Sequence, residues 1–211
     1  MSEQGDRCGS VPRRVEVSAT ERVFVGFFKF DRATVSYERF DGSMSAPMSR
    51  LVFERGESVA VLAFDRERHQ VILVQQFRYP AYLRGGPGWL WEVIAGMTEP
   101  GRDPEDVARS EALEEAGYGL GEIVHAMTVY ASPGGSSERI HIYLAAVISD
   151  QRVGEGGGLS EAAAPHLGDG EDIFVRVFDL DEAMEMIEDG RIVDAKTVVA
   201  LQFLALHWDD V

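Results

Sequence analysis

Cysteine, basic side chains and long apolar runs are all scarce in this sequence of 211 residues. The single cysteine, Cys8, cannot form a disulfide within the chain, which is typical of proteins from a reducing compartment. The N-terminal segment has no apolar stretch of the kind found in signal peptides, and no apolar run reaches the roughly 18 residues of a membrane span. These absences predict a cytoplasmic protein without a membrane partner.

Acidic residues outnumber basic ones, with 36 Asp and Glu against 20 Lys and Arg, and the formal net charge is −16. An anionic surface repels phosphate polymers, so nucleic acid and anionic membrane surfaces are not expected as partners. A small phosphate compound remains compatible with this charge, because a divalent cation can bridge carboxylates and phosphate oxygens.

The order of strand and helix patterns indicates three regions. Residues 1–14 are expected to form a disordered tail, residues 15–56 a small β-sheet, and residues 57–211 the main domain. Within the second region, Val15–Lys29 and Ala33–Phe40 are predicted to pair as a hairpin that turns at Phe30-Asp31-Arg32.

The main domain is predicted to combine a mixed β-sheet with helices that pack on it, which is an α/β (α+β) fold. Its strands are expected at residues 58–64, 71–77, 122–130, 139–147 and 173–178, and its helices at residues 104–116, 180–188 and 195–207. Residues 154–170 are rich in glycine and alanine and are expected to form a long mobile loop.

Three glutamates lie within little more than one turn of the first helix: Glu111, Glu114 and Glu115. They share one side of the helix, whereas Ala112, Leu113 and Ala116 are expected to pack on the sheet. Neighbouring carboxylates repel one another, and the helix dipole disfavours anions near the C-terminus. Two interpretations follow: a solvated acidic face, or a site in which a hard cation such as Mg²⁺ offsets the repulsion.

The residues around these glutamates resemble the Nudix box. Read from Gly96, the pattern continues through Arg102 to Ser110-Glu111-Ala112-Leu113-Glu114-Glu115-Ala116-Gly117-Tyr118. Two positions differ, because the family has a glutamate where this chain has Arg102 and an arginine where it has Ser110. Those two family residues pair with each other, so their joint replacement bears on the rigidity of the box more than on its metal chemistry.

Further segments resemble the ADP-ribose pyrophosphatase branch of the same family: Trp89–Met97, Ala131–Arg139 and Glu171–Ile173. This resemblance implies a Nudix-type α/β/α sandwich with a mixed sheet, preceded by a small N-terminal antiparallel sheet. It also implies a homodimer in which the N-terminal strands are exchanged between the subunits.

The resemblance implies a site for Mg²⁺, or for Mn²⁺ in its place. The implied metal ligands are Glu111, Glu114, Glu115, Glu171 and the main-chain carbonyl of Ala95. Glu115 is also expected to be catalytic. The base that activates water is expected in the late acidic loop, where either Asp169 or Glu171 takes this role.

The resemblance also implies a set of substrate contacts: Phe28, Arg50, Arg78, Glu92, Met97, Gly134 and Glu138. Phe28 and Arg50 are expected to contact the base from a partner subunit, although the sheet core is an alternative place for Phe28. Arg78 is expected to hold a phosphate, with an ordinary surface arginine as the alternative. Glu92 and Glu138 are expected to bind ribose hydroxyls.

The activity implied by this resemblance is Mg²⁺-dependent hydrolysis of ADP-ribose to AMP and ribose 5-phosphate. Two alternatives stay open. In one, the substrate is another nucleoside diphosphate sugar, such as GDP-mannose or ADP-glucose. In the other, the chain is a binding or regulatory module of the same fold without turnover.

Overall fold

The computed structural model describes residues 14–98, 101–150, 162–163 and 172–211, with the backbone alone for residues 149, 150, 162 and 163. The chain divides into two compact units. One unit contains the described residues up to Arg55 together with Ser132–Ser137. The other contains Gly56–Ala131 and the described part of Glu138–Val211.

The first unit contains an antiparallel sheet of three strands in the order β1-β2-β3: β1 (Val15–Val25), β2 (Lys29–Tyr37) and β3 (Met48–Glu54). The predicted turn at Phe30–Arg32 is wrong, because Val25 already pairs with Lys29 and the chain reverses at residues 26–28. Gly26 donates its N–H to the carbonyl of Phe28 (3.0 Å) and leaves room for the ring of Phe24. The polar residue Asp31 faces Arg22 across the strand pair and forms an ion pair with it, so strand pairing continues through this position.

The segment Ser132–Ser137 belongs to the first unit through main-chain hydrogen bonds to Phe53. Phe53 donates its N–H to the carbonyl of Gly135 (2.7 Å), and its own carbonyl accepts from the N–H of Ser137 (3.1 Å). A segment that the sequence pattern identifies only as a link between two strands of the main domain therefore contacts the N-terminal sheet.

The second unit contains a mixed sheet whose main path runs β10-β11-β5-β4-β9-β8, with β6 paired to β5 and β7 paired to β4. Its strands are β4 (Glu57–Asp65), β5 (Gln70–Phe77), β6 (Trp89–Glu92), β7 (Ile94–Met97), β8 (Tyr118–Tyr130), β9 (Arg139–Asp150), β10 (Ala162–Ala163) and β11 (Phe174–Asp179). Strands β4 and β9 run parallel, and the other named pairs are antiparallel.

Four helices lie among the described residues of this unit: α1 (Tyr79–Leu83), α2 (Pro104–Ala116), α3 (Leu180–Glu188) and α4 (Ala195–Leu206). Helix α2 packs on one face of the sheet through Val107, Ala108 and Ala112, whereas α3 and α4 pack on the other face. Strand β4 is apolar along its length because its side chains alternate between these two buried faces. The predicted α/β/α sandwich with a separate small antiparallel sheet is confirmed.

The ends of α2 follow from local sequence signals. Asp103 is the N-cap and accepts a hydrogen bond from the N–H of Glu105 (2.9 Å), and Pro104 opens the first turn. Gly117 ends the helix in the left-handed conformation at φ 73°. Leu113, which was expected on the sheet, is 40% exposed. The sheet therefore covers a narrower strip of the helix than the apolar residues suggest.

Four elements are absent from the sequence-based prediction: α1, β6, β7 and β10. Helix α1 is a single short turn after Arg78, too brief to produce an apolar period. Strand β10 lies inside the segment expected to be a loop, and its residues Ala162 and Ala163 pair with Val175 and Phe174 of β11. Main-chain pairing of this kind needs no particular side chain, so alanine gives no signal for it.

No helix among the described residues has the length and apolar character that crossing a lipid bilayer requires.

Candidate active site

Strand β7 and helix α2 approach each other closely at Gly96. Gly96 pairs with Val59 in the sheet, and α2 packs against the same sheet face. A Cβ atom built on Gly96 would overlap the carboxylate of Glu111. An added methyl group would displace this carboxylate, which is half-buried and lies directly against the main chain of β7.

The carboxylate of Glu115 lies one helical turn further on and is only 7% exposed. Its Oε2 lies 3.4 Å from the main-chain nitrogen of Ala95, from which it accepts a hydrogen bond. Glu114 is exposed. A solvated acidic face therefore describes Glu114 but not Glu115, and the sequence-based placement of Glu115 on a solvated face is wrong.

Glu111 and Glu115, the carboxylate pair, adjoin consecutive residues of β7. Carboxylate oxygens are the donors that hard divalent cations such as Mg²⁺ and Mn²⁺ prefer. Glu115 is buried and Glu111 is half-buried, and buried anions need compensation from neighbouring groups. Among the residues that the structure describes, no group of three or more Asp, Glu, His or Cys side chains is arranged to hold a metal ion. The carboxylate pair thus fits part of an oxygen-ligand site.

The two residues that depart from the Nudix box contact each other. Arg102 Nη2 donates a hydrogen bond to Ser110 Oγ at 3.0 Å. A side-chain contact therefore still joins the loop before α2 to the middle of the helix. In this chain the positive charge lies in the loop, at Arg102, whereas the family pattern has it in the helix. A neutral hydroxyl replaces one charge, so this contact is weaker than an ion pair.

A buried carboxylate, Glu92 at the end of β6, binds two cations and is 1% exposed. Arg78 binds it with two parallel hydrogen bonds, from Nε to Oε1 (2.7 Å) and from Nη2 to Oε2 (2.9 Å). Lys196 donates to the same Oε2. Burial raises the pKa of Glu92, but the hydrogen bond from Arg78 and the charge of Lys196 outweigh that effect and leave the pKa below its ordinary value of 4.5.

Helix α4 is fixed to this carboxylate by its first turn. Asp194 is the N-cap and accepts hydrogen bonds from the N–H (3.0 Å) and the hydroxyl (2.6 Å) of Thr197. The hydroxyl of Thr197 in turn accepts from the N–H of Val93 (2.9 Å), the residue between β6 and β7. Asp194 also contacts Lys196 Nζ (3.1 Å). We call Arg78, Glu92, Lys196 and Asp194 the Glu92 network.

The guanidinium of Arg78 lies within electrostatic reach of Glu115, one member of the carboxylate pair. Its hydrogen bonds to Glu92 raise its pKa most, and the charges of Glu115 and Asp194 raise the pKa further. Among the described residues, its third nitrogen, Nη1, has no hydrogen-bond partner. Arg78 is thus oriented by Glu92 and keeps one edge available for a ligand.

The other residues predicted for the site divide between the two units. Phe28, Arg50 and Gly134 belong to the first unit, and Met97 and Glu138 belong to the second together with the carboxylate pair, Arg78 and Glu92. Asp169 and Glu171, predicted as base and metal ligand, lie outside the described residues. The structure therefore brings Ala95, Glu111 and Glu115 together, with Arg78 nearby.

Within the first unit, Phe28 is half-buried and packs edge-on against Phe53, with the Arg55 guanidinium 5.2 Å from its ring centre. Arg50 is exposed on β3 and contacts the sulfur of Met48 (2.7 Å). The positions of Phe28 and Arg50 are compatible with a structural role in the sheet and with a contact to the nucleobase of a substrate.

Within the second unit, Glu138 Oε1 accepts a hydrogen bond from the hydroxyl of Ser58 (3.1 Å), and Met97 is partly exposed at the end of β7. Glu92 was predicted to bind ribose hydroxyls, but both of its oxygens are taken by cationic side chains. The geometry favours a role for Glu92 in orienting Arg78.

The sequence reasoning did not identify Lys196, Asp194 or Thr197 as part of this region. A local signal was present, because Lys196 lies in the first turn of a helix, where the dipole disfavours a cation. A lysine in that position indicates a carboxylate partner close by.

Comparison with known proteins identifies the family to which the chain is similar. The family model described as the NUDIX domain matches residues 54–201. ADP-ribose pyrophosphatase of Escherichia coli strain K12 is 39% identical over 193 residues, which is 92% of this chain and 88% of that protein. GDP-mannose pyrophosphatase of Cronobacter sakazakii is 35% identical over 194 residues, with 92% and 96% covered. A crystal structure of an ADP compounds hydrolase has a TM-score of 0.68 at 17% identity, over 95% of this chain and 97% of that one.

The chain therefore belongs to the Nudix family and is a Nudix hydrolase.

Replacement of Gly96 by alanine should displace the carboxylate of Glu111, because the added methyl group occupies the same volume. Misplacement of a catalytic group by about 1 Å costs about a hundredfold in rate. We therefore expect Gly96→Ala to lower kcat/KM by about that factor and to weaken metal binding in calorimetric titration. Gly121→Ala is the matched control in β8, since its methyl group would meet the exposed and movable tip of Ile148. Equal activity of the two variants would contradict the role of Gly96.

The Glu92 network should make stability depend on pH in a defined direction. Glu92→Gln leaves two cations without their shared carboxylate, and removal of one partner from a buried pair costs about 3–5 kcal/mol of unfolding free energy. The pKa of Glu92 is lowered in the folded protein, so its contribution is complete above 4.5 and is lost as pH falls from there through the folded pKa.

Urea unfolding at a series of pH values measures this contribution as the difference between wild type and Glu92→Gln. The difference should be large at pH 7 and should shrink below pH 4.5, where Glu92 of the wild type gains a proton. Glu182→Gln, at an exposed pair with Arg191, should cost less than about 1 kcal/mol at any pH. If the difference in unfolding free energy between wild type and Glu92→Gln instead grew as the pH fell, the predicted direction of the pH dependence would be wrong.

Proposed function

We propose that this Nudix hydrolase splits the pyrophosphate of ADP-ribose into AMP and ribose 5-phosphate, with Mg²⁺ as cofactor and Mn²⁺ as its substitute. The observation that carries the proposal is the carboxylate pair held against Ala95 and Gly96. The similarity to ADP-ribose pyrophosphatases over nearly the whole chain supports the choice of substrate. The single cysteine supports a cytoplasmic location.

Glu111 and Glu115 would hold the divalent cation, together with Glu114, Glu171 and the carbonyl of Ala95. When bound, the cation supplies Lewis-acid stabilisation of the pyrophosphate charge. The Nη1 edge of Arg78 binds a phosphate oxygen and orients the diphosphate. A loop acid, Asp169 or Glu171, takes a proton as the water oxygen bonds to phosphorus and the bridging P–O bond breaks.

A second candidate is a hydrolase of GDP-mannose. GDP-mannose pyrophosphatases are 35% and 34% identical to this chain over 92% of its length, a little less than the ADP-ribose pyrophosphatases. Stacking on Phe28 would accept either purine, because every base presents a π-face. A module without turnover is disfavoured, because a pure binder has no need to keep the close approach of Glu111 to Gly96.

The substrate choice is tested by release of phosphate-containing products from ADP-ribose, ADP-glucose and GDP-mannose with Mg²⁺. We expect the highest kcat/KM for ADP-ribose, with AMP and ribose 5-phosphate in equal amounts. Glu115→Gln keeps the volume of a buried side chain and removes its charge, so it is the negative control and should reduce turnover to background. A higher kcat/KM for GDP-mannose would replace the proposed substrate with the second candidate.

The identity of the base is tested by two loop variants at saturating Mg²⁺. If Asp169 is the base, Asp169→Asn should lower kcat by about a hundredfold or more with little change in KM. If Glu171 is the base, Asp169→Asn should be nearly silent and Glu171→Gln should cause the loss. Near-normal rates in both variants would exclude both residues from this role.

We also propose that a second copy of the chain covers one face of the N-terminal sheet. Four apolar residues lie on that face: Phe24, Phe30, Leu51 and Phe53. The ring of Phe30 contacts the rings of Phe24 and Phe53. Phe24 and Leu51 are each more than half exposed, and a contiguous apolar surface of this kind is typical of an interface. In such a dimer, Phe28 and Arg50 would reach the site of the partner.

Light scattering should show a dimer at micromolar concentration for the wild type. Leu51→Asp places a charge on the proposed interface and should shift the protein to monomer with loss of activity. Leu206→Asp at an exposed leucine of the second unit is the matched control and should remain dimeric. A fully active monomeric wild type would overturn the proposal.

A further inference from the structure

Lys196 lies two residues beyond Arg78 in a chain of contacts, because Glu92 stands between them. Its side chain is 12% exposed, and its ammonium contacts the carboxylates of Glu92 and Asp194. It is one of only two lysines in the sequence, where arginine is the usual cation. Two features of Lys196 need an explanation: its contact with two carboxylates, and its position in the first turn of α4, where the helix dipole disfavours a cation.

The carboxylate of Glu92 is shared unequally between its two cations. Among the residues that the structure describes, Oε1 accepts a hydrogen bond from Arg78 only, whereas Oε2 accepts from Arg78 and from Lys196. Lys196 therefore holds the oxygen that fixes the rotation of the Arg78 guanidinium about its long axis. Asp194 restrains Lys196 in turn, and Asp194 is itself fixed as the cap of α4.

We propose that Lys196 is a positioning residue that acts through Glu92 to hold the free edge of Arg78 toward the diphosphate of the substrate. This inference rests on the proposed function, in which Arg78 binds a phosphate oxygen. Lys196 does not touch the substrate. It sets the orientation of the group that does.

This role predicts a particular kinetic signature. Arg78 binds the diphosphate in the ground state and the transition state alike, so loss of its orientation raises KM more than it lowers kcat. A charge-assisted hydrogen bond is lost, and we expect Lys196→Met to raise KM for ADP-ribose by about tenfold. Lys196→Arg keeps a cation at the position and should restore most of the affinity. Arg191→Met, at an exposed cation paired with Asp189, is the control and should leave KM unchanged.

A double-mutant cycle with Arg78→Met separates positioning from a general effect on the fold. If Lys196 acts through Arg78, Lys196→Met should change KM by less than about twofold in the Arg78→Met background, which is the usual limit of additivity error. The same tenfold effect in both backgrounds, an unchanged KM in Lys196→Met, or a loss confined to kcat would overturn the inference. Thermal unfolding identifies any variant that fails to fold, and Lys196→Gln then replaces Lys196→Met in the cycle.

The experiment distinguishes failure of the proposed function from failure of the proposed role of Lys196. A wild type that hydrolyses none of the nucleoside diphosphate sugars overturns the proposed activity, and the inference is overturned with it. A wild type that is active, beside an Arg78→Met variant with unchanged KM, removes Arg78 from substrate binding and overturns the role of Lys196 alone.

Discussion

The active-site region depends on the absence of a side chain at Gly96. Strand β7 lies so close to α2 that the carboxylate of Glu111 occupies the volume of a Cβ atom. Glu111 and Glu115 are held at β7 because Val107, Ala108 and Ala112 of the same helix are buried against the sheet. Apolar burial in the second unit therefore opposes the mutual repulsion of the carboxylates.

Charge compensation in this region is built from residues far apart in the sequence. Glu92 joins Arg78, which precedes it by 14 residues in the sequence, to Lys196, which follows it by 104 residues. A buried carboxylate with two cations is tolerated because its hydrogen bonds are satisfied and each partner has a second carboxylate within reach. The same contacts fix the start of α4 against the junction of β6 and β7. The residues that balance the charge of Glu92 therefore also determine the position of the helix.

Local signals in the sequence were sufficient for much of the fold. Asp103, Pro104 and Gly117 predict the limits of α2, and the long apolar strands predict the sheet. The burial of Glu115 could not be predicted, because the helical period assigns a residue to a face but does not say how far the sheet extends over it. The Glu92 network could not be predicted either, because its members are distant in sequence and only the folded chain brings them together. The roles of Asp169 and Glu171 rest on the resemblance to the family.

The contact between Phe53 and Ser132–Ser137 has a consequence for synthesis of the protein. The three strands of the first unit leave the ribosome well before the segment that hydrogen-bonds to β3, because Phe53 and Ser136 are separated by 83 residues. A contact of such long sequence separation forms late during folding. Until then, the apolar face of the nascent sheet is available to other chains, and a chaperone that shields it during translation would improve the yield of folded protein.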